Sequence, residues 1–146
     1  MSNLYKLSYI SKNTIIGDQA NLKSEIDSIL KSAHKNNPVM GITGALLFSG
    51  GYFCQVIEGE EENIESLFEI IQMDNRHADI TVLNFEEASE RSFSEWAMAL
   101  AGIDESEKFD LEGLKNSKNE IAMKQSGKQI IHFLEDLVNK KQAALG

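Results

Sequence analysis

The sequence of 146 residues predicts an α+β domain, in which helices pack on a β-sheet. Three observations predict this class. Several short segments alternate apolar and polar residues, as strands do, and two longer segments repeat their apolar residues at helical spacing. In addition, one strand is apolar on both faces, so that both faces of the sheet need cover. The elements follow one another in the order β-α-β-β-α-β-β.

The first strand and the first helix lie in the first quarter of the chain. Residues 4–10 alternate as a strand. The helix that follows runs to about residue 35, and Asp18 or Asn21 can cap its first turn. The stretch Asn36-Asn37-Pro38 ends this helix, because the residue before a proline avoids the helical conformation.

A hairpin and a second helix come next. Residues 41–48 form a strand, Ser49-Gly50-Gly51 is a tight-turn signal, and residues 52–58 form the returning strand. The second helix spans residues 60–73 and has an acidic first turn, which suits the helix dipole. Two more strands are predicted at residues 78–85 and 94–101.

This order predicts a ferredoxin-like sandwich with both helices on one face of the sheet. The first and third strands are expected to be parallel central neighbours. Helical periodicity resumes near Asn119, and this C-terminal helical segment is expected to cover the opposite face. The chain therefore divides into a core, residues 1–102, and a C-terminal helical extension, residues 103–146.

Composition excludes several classes of protein. The formal charge of −9 repels polyanions, and no basic stripe offsets it, so we expect no nucleic-acid partner. The single cysteine, Cys54, excludes an internal disulfide and a multi-cysteine metal site. The sequence shows no signal pattern and no apolar run of membrane-spanning length, so we expect a soluble, cytoplasmic protein without a membrane partner.

Gln55 is the chemical anomaly of the third strand. Phe53 and Ile57 flank it on the same face, where an amide without partners would cost about 1–3 kcal/mol. Tyr9 on the neighbouring strand can supply a hydroxyl partner. Taken alone, this pair is more simply explained as a structural hydrogen bond.

Two further polar clusters lie at helix ends, where capping is their ordinary role. They are Asn36-Asn37 and Asp74-Asn75-Arg76-His77. Together with Gln55 they can surround one groove between the two helices, with Ile29 and Ile71 as apolar walls. Such a groove suits a flat heteroaromatic ligand with a polar tail, which can carry a phosphate.

With these motifs in register, the chain resembles the BLUF domains, which are sensors of blue light using FAD. The resemblance covers about residues 4–102. Five segments carry it: Lys6–Ser11, Asn36-Asn37 before Gly41–Gly44, Phe53–Gly59, Asp74–His77 and Phe93–Met98.

The resemblance implies a role for each candidate residue. Tyr9 would be the redox-active tyrosine, and Gln55 would bridge it to the flavin and rearrange by rotation or tautomerisation. Trp96 and Met98 would lie on the strand that reports the change, although such a pair is also ordinary core. The implied cofactor-binding residues are Tyr9, Ile29, Asn36, Asn37, Phe53, Gln55, Ile71, Asp74, Arg76 and His77.

The resemblance implies a photosensory signalling protein without enzymatic activity, which binds FAD, with FMN or riboflavin as possible substitutes. Its signal would leave through the fifth strand and the C-terminal helices to an unidentified partner protein or a homo-oligomer. Two alternatives remain. One is a non-photoactive ligand-binding or dimerisation module of the same fold, and the other is a small hydrolase, for which the sequence offers no nucleophile motif.

Overall fold

A computed structural model describes residues 3–49, 51–94, 98–104 and 119–145. The five strands are β1 (Leu4–Asn13), β2 (Thr43–Ser49), β3 (Tyr52–Glu60), β4 (His77–Glu87) and β5 (Ala99–Asp104). The helices are α1 (Gln19–Asn36), α2 (Glu61–Met73) and α3 (Glu120–Leu145), with a short 3₁₀ turn at Pro38–Met40. The predicted α+β sandwich and its order of elements are confirmed.

The strands form one sheet in the order β4-β1-β3-β2-β5. β1 and β3 are central neighbours as predicted, but they run antiparallel, so the prediction of a parallel pair was wrong. The reason is topological. The crossover through α1 makes β2 run in the same direction as β1, and the hairpin then reverses β3.

The last strand starts later than predicted, at Ala99 instead of Ser94, and it pairs in parallel with β2. Residues just before it have other partners. The backbone N–H groups of Ser92 and Phe93 donate to the buried carboxylate of Glu58, at 2.6 and 2.8 Å. β5 runs to Asp104, across the expected boundary at residue 102, and the division into core and extension stays a prediction.

Both faces of the sheet are covered, as the two apolar faces of β3 predicted. On one face Phe53 and Ile57 pack with buried residues of α1 and α2, such as Ile26 and Ile64. On the other face a second apolar cluster joins the sheet to α3. Its buried members include Ile10, Cys54, Val56, Ile130, Leu134 and Val138. The expected position of the C-terminal helix is therefore confirmed.

Local signals set the ends of α1. The Asp18 carboxylate accepts from the backbone N–H of Asn21 at 2.9 Å, which confirms Asp18 as the N-cap. At the other end the carbonyl of Asn37 accepts from the N–H groups of Met40 and Ile42, and Gly41 takes a left-handed φ of 64°. This turn buries Asn37 beneath the end of α1.

Within the part of the chain described by the structure, no helix has the length and apolar character to span a membrane.

Candidate functional site

A cavity of about 660 Å³ opens between α1 and α2, above the central strands β1 and β3. All ten residues predicted to bind the cofactor line it, and so does Met98. Trp96 lies outside the described residues. The sequence-based expectation that three separate polar clusters surround one groove is therefore met by the geometry.

Tyr9 and Gln55 form the floor of the cavity. They lie directly opposite each other in the register of β1 and β3, and both are buried. The Tyr9 hydroxyl donates a hydrogen bond to Oε1 of Gln55. At the other end of the amide, Nε2 of Gln55 lies 3.4 Å from Sδ of Met98 and donates to it. Gln55 therefore uses both its acceptor and its donor, and the predicted Tyr9–Gln55 hydrogen bond is present.

The phenol of Tyr9 is neutral in this environment. Burial raises its pKa above the ordinary value, and the nearby Cys54 and Asp74 act in the same direction. Its ring lies against Phe68 and His77, with ring centroids 5.6 and 6.2 Å apart. The neutral O–H group is thus held in a fixed direction, toward the amide oxygen.

His77 forms part of the same wall and is bonded at both ring nitrogens. Its Nε2 lies 2.6 Å from the carbonyl oxygen of Ile71, and its Nδ1 lies 2.7 Å from Oγ of Ser11. Because a carbonyl only accepts, Nε2 carries a proton and donates to Ile71, while Nδ1 is bonded to the Ser11 hydroxyl. The ring is therefore fixed between α2 and β1, next to Tyr9.

The rim of the cavity carries an ion-pair cluster. The guanidinium of Arg76 bonds both carboxylate oxygens of Asp74, the shortest contact being 2.6 Å, and it also lies 3.4 Å from the carboxylate of Glu25. The hydrogen bond with Arg76 lowers the pKa of Asp74, and the same bond raises the pKa of Arg76. Two carboxylates thus already pair with the Arg76 guanidinium, and the role of Arg76 in binding a cofactor stays a prediction.

Seven lining residues lie outside the set predicted from the sequence. Three of them could have been found from spacing. Ser32 follows Ile29 by one helical turn, and Leu67 precedes Ile71 by one turn. Leu46 lies opposite Gln55 in the hairpin register, which the tight turn implies. The seven are Ser32, Ala33, Val39, Met40, Leu46, Leu67 and Ile70.

The family model of the BLUF domains, described as sensors of blue-light using FAD, matches residues 4–99. Among solved structures, the dark-state structure of BlrB, a BLUF protein, is similar with a TM-score of 0.69 and 29% identity, covering 90% of this chain and 98% of that one. The photo-activated state of BlsA is similar with a TM-score of 0.71 and 31% identity, covering 92% and 94%.

Among curated proteins, the photoactivated adenylate cyclase subunit beta of Euglena longa is 31% identical over 101 residues. That match covers 68% of this chain and 11% of the cyclase subunit. This chain therefore spans only about a tenth of the length of such curated relatives.

Proposed function

The chain belongs to the BLUF family, the sensors of blue light using FAD, and we propose on this basis that it is a flavin photoreceptor without catalytic activity of its own. The observation that carries the proposal is the chain of contacts from Tyr9 through Gln55 to Met98 at the floor of the cavity. These two hydrogen bonds join the neutral phenol of Tyr9 to Met98, just before the edge strand β5. The amide of Gln55 between them can exchange its donor and acceptor ends.

The residues of the cavity fit a flavin. Ile29 from α1 and Ile71 from α2 supply apolar walls for a flat ring, and the amides of Gln55 and Asn37 supply polar groups. A purely apolar cavity would leave the polar edge of an isoalloxazine ring without hydrogen bonds. FAD is the family's cofactor, and FMN or riboflavin carries the same ring.

A flavin held in this cavity would supply an electron acceptor that is active only under blue light, and Tyr9 would be the electron donor beside it. Loss of an electron makes the Tyr9 O–H strongly acidic, so its proton moves along the existing hydrogen bond toward Oε1 of Gln55. Both the electron and the proton then return to Tyr9, so that no net chemistry remains. During this cycle the Gln55 amide settles in a second arrangement, which presents Oε1 instead of Nε2 to Met98.

The signal leaves the site through Met98 and β5. β5 is bonded to β2, and α3 covers the sheet behind these strands. α3 buries Ile130, Leu134 and Val138 and turns polar residues outward, among them Lys128 and His132. We propose this outer face as the contact surface for a partner protein or a second copy of the chain. The cytoplasmic location and the absence of nucleic-acid and membrane partners stay predictions of the sequence.

The test is a light-minus-dark absorption spectrum of the purified protein loaded with FAD. We expect a yellow protein whose flavin bands shift to the red under blue light and relax in the dark. Tyr9→Phe should bind FAD and lose the shift, because it removes the hydroxyl while keeping the ring. A wild-type protein that binds FAD and shows no reversible shift would contradict the proposal.

A further inference from the structure

Met98 is held at two points by two different elements. Met98 is 2% exposed, and its sulfur accepts from Nε2 of Gln55 at 3.4 Å. Its backbone carbonyl oxygen lies 2.8 Å from Nε2 of His34, which is on α1. The carbonyl only accepts, so Nε2 of His34 carries the proton and donates this bond.

The place of His34 on α1 separates it from the cavity wall. The α1 residues that line the cavity are Ile29, Ser32, Ala33 and Asn36, and His34 is not among them. His34 therefore reaches past the cavity to the strand entrance instead of facing the ligand. Its side chain is on the exposed side of the helix, so its replacement leaves the packed core intact.

The backbone of Met98 has few other supports among the described residues. It directly precedes β5, which among the described strands pairs only with β2. This pairing is parallel and begins at Ala99. Parallel pairing is slightly less stable per residue than antiparallel pairing. A hydrogen bond from a rigid helix to this carbonyl thus fixes the point from which the Met98 side chain extends.

From this geometry, we infer that His34 is a positioning residue, which holds the Met98 sulfur within reach of the Gln55 amide and thereby stabilises the dark arrangement of the site. The inference rests on the proposed function. A thioether is a weak acceptor, so its bond depends on placement. Once the amide presents Oε1, the sulfur has no donor there, and the tie through His34 keeps Met98 close enough for the original bond to form again.

The test compares His34→Leu, which removes the donor, with His34→Gln, which keeps an N–H donor. Lys35→Leu, the same apolar change at the next and exposed position of α1, is the matched control. Two quantities are measured on the full chain. They are the dark recovery rate after a blue flash, and the ¹³C-methyl resonance of Met98 in the dark, assigned with Met98→Leu.

We expect His34→Leu to slow dark recovery about fivefold, which corresponds to about 1 kcal/mol, and to move the Met98 methyl resonance. His34→Gln should recover within about twofold of wild type, and Lys35→Leu should match wild type in both measurements. Equal recovery rates and an unmoved resonance in His34→Leu and Lys35→Leu would overturn the inference. If His34→Leu fails to fold, His34→Ala carries the same two expectations.

The two measurements separate this inference from the proposed function. The methyl resonance is read in darkness and needs no photochemistry. A wild-type protein without a light response would contradict the proposed function, while a moved Met98 resonance in His34→Leu would still support the tie between His34 and Met98. If wild type responds to light but His34→Leu leaves the Met98 resonance and the recovery rate unchanged, the role of His34 is contradicted and the proposed function is not.

Discussion

The two faces of the sheet are built from the same strands and differ in what they leave open. β3 sends Gln55 to the face under α1 and α2, and it sends Cys54 and Val56 to the face under α3. The first face keeps a cavity of about 660 Å³ and two buried polar side chains on its floor. On the second face, α3 packs closely and the cluster is apolar. Chemistry is thus concentrated on one face and packing on the other.

Cys54 illustrates the contrast, since it directly precedes Gln55 in the chain. Burial on the α3 side raises the pKa of its thiol to about 12, so it stays protonated at neutral pH. It packs as a small apolar side chain, while its neighbour takes part in the hydrogen bonds of the cavity. We call the face under α3 the closed face and the face with the cavity the open face. Substitutions on the closed face should therefore change the free energy of unfolding, and substitutions on the open face should change ligand binding and the light response.

The largest effect is expected at Leu134, which is fully buried between α3 and the sheet. Leu134→Ala should lower the free energy of unfolding by about 2–5 kcal/mol, because it removes buried methyl groups and leaves a void. Urea unfolding followed by circular dichroism measures this change. Gln129→Ala, on the exposed side of α3, is the control and should change it little. A loss below about 1 kcal/mol at Leu134 would mean that α3 does not seal this face.

A smaller effect is expected at Gly127, where α3 lies close to the sheet. A Cβ at this position would lie 3.3 Å from Oγ of Ser8 and 3.3 Å from Cβ of Leu83. Gly127→Val should therefore cost about 1–3 kcal/mol through overpacking. Gln125→Val, at an exposed position two residues earlier, tests the effect of a β-branched residue in the helix alone. Equal losses in the two variants would show that the close approach does not matter.

Ser8 should give an effect of the opposite sign. Its hydroxyl is buried on the closed face, and none of the described residues bonds to it. Ser8→Ala should raise the free energy of unfolding by about 1 kcal/mol, because a buried polar group without a partner is removed. Ser11→Ala is the matched control on the same strand, and it should be destabilising because Ser11 bonds His77. A destabilising Ser8→Ala would show that the hydroxyl has a partner in solution.

The smallest effect is expected at the rim of the open face. Asp74→Asn removes one of the two carboxylates that form ion pairs with Arg76. It should raise the affinity for FMN relative to riboflavin about two- to fivefold, the scale of a partly exposed ion pair. Quenching of flavin fluorescence on titration with the apoprotein gives both affinities. Glu62→Gln, an exposed change at the far end of α2, should leave the ratio unchanged. An unchanged ratio in Asp74→Asn would place the phosphate away from this cluster.

Local patterns were enough to predict most of the fold. The cap at Asp18, the hairpin of β2 and β3, and the two apolar faces of β3 depend on neighbours in sequence, and all are present. The direction of β1 against β3 was wrong because it depends on following the path of the chain through two connections. The start of β5 was also misplaced, and the bonds from the backbone of Ser92 and Phe93 to Glu58, more than 30 residues away, are contacts that local patterns do not indicate.

The candidate site shows the same limit. Tyr9 and Gln55 could be paired from strand register and from the cost of a buried amide, and their bond is present. The link from His34 to the carbonyl of Met98 joins a helix to a strand 64 residues later, and no periodicity indicates it. Likewise, the sharing of Arg76 between Asp74 and Glu25 depends on how the first half of α1 lies beside the C-terminal end of α2.

The most direct test of the central claim is the light-minus-dark spectrum of Gln55→Leu loaded with FAD, compared with wild type and with Gln129→Leu, the same change on the exposed side of α3. Gln55→Leu keeps the size of the side chain and removes the amide that joins Tyr9 to Met98. We predict a reversible red shift in wild type and in Gln129→Leu, and bound flavin without that shift in Gln55→Leu. A normal reversible shift in Gln55→Leu would contradict the account.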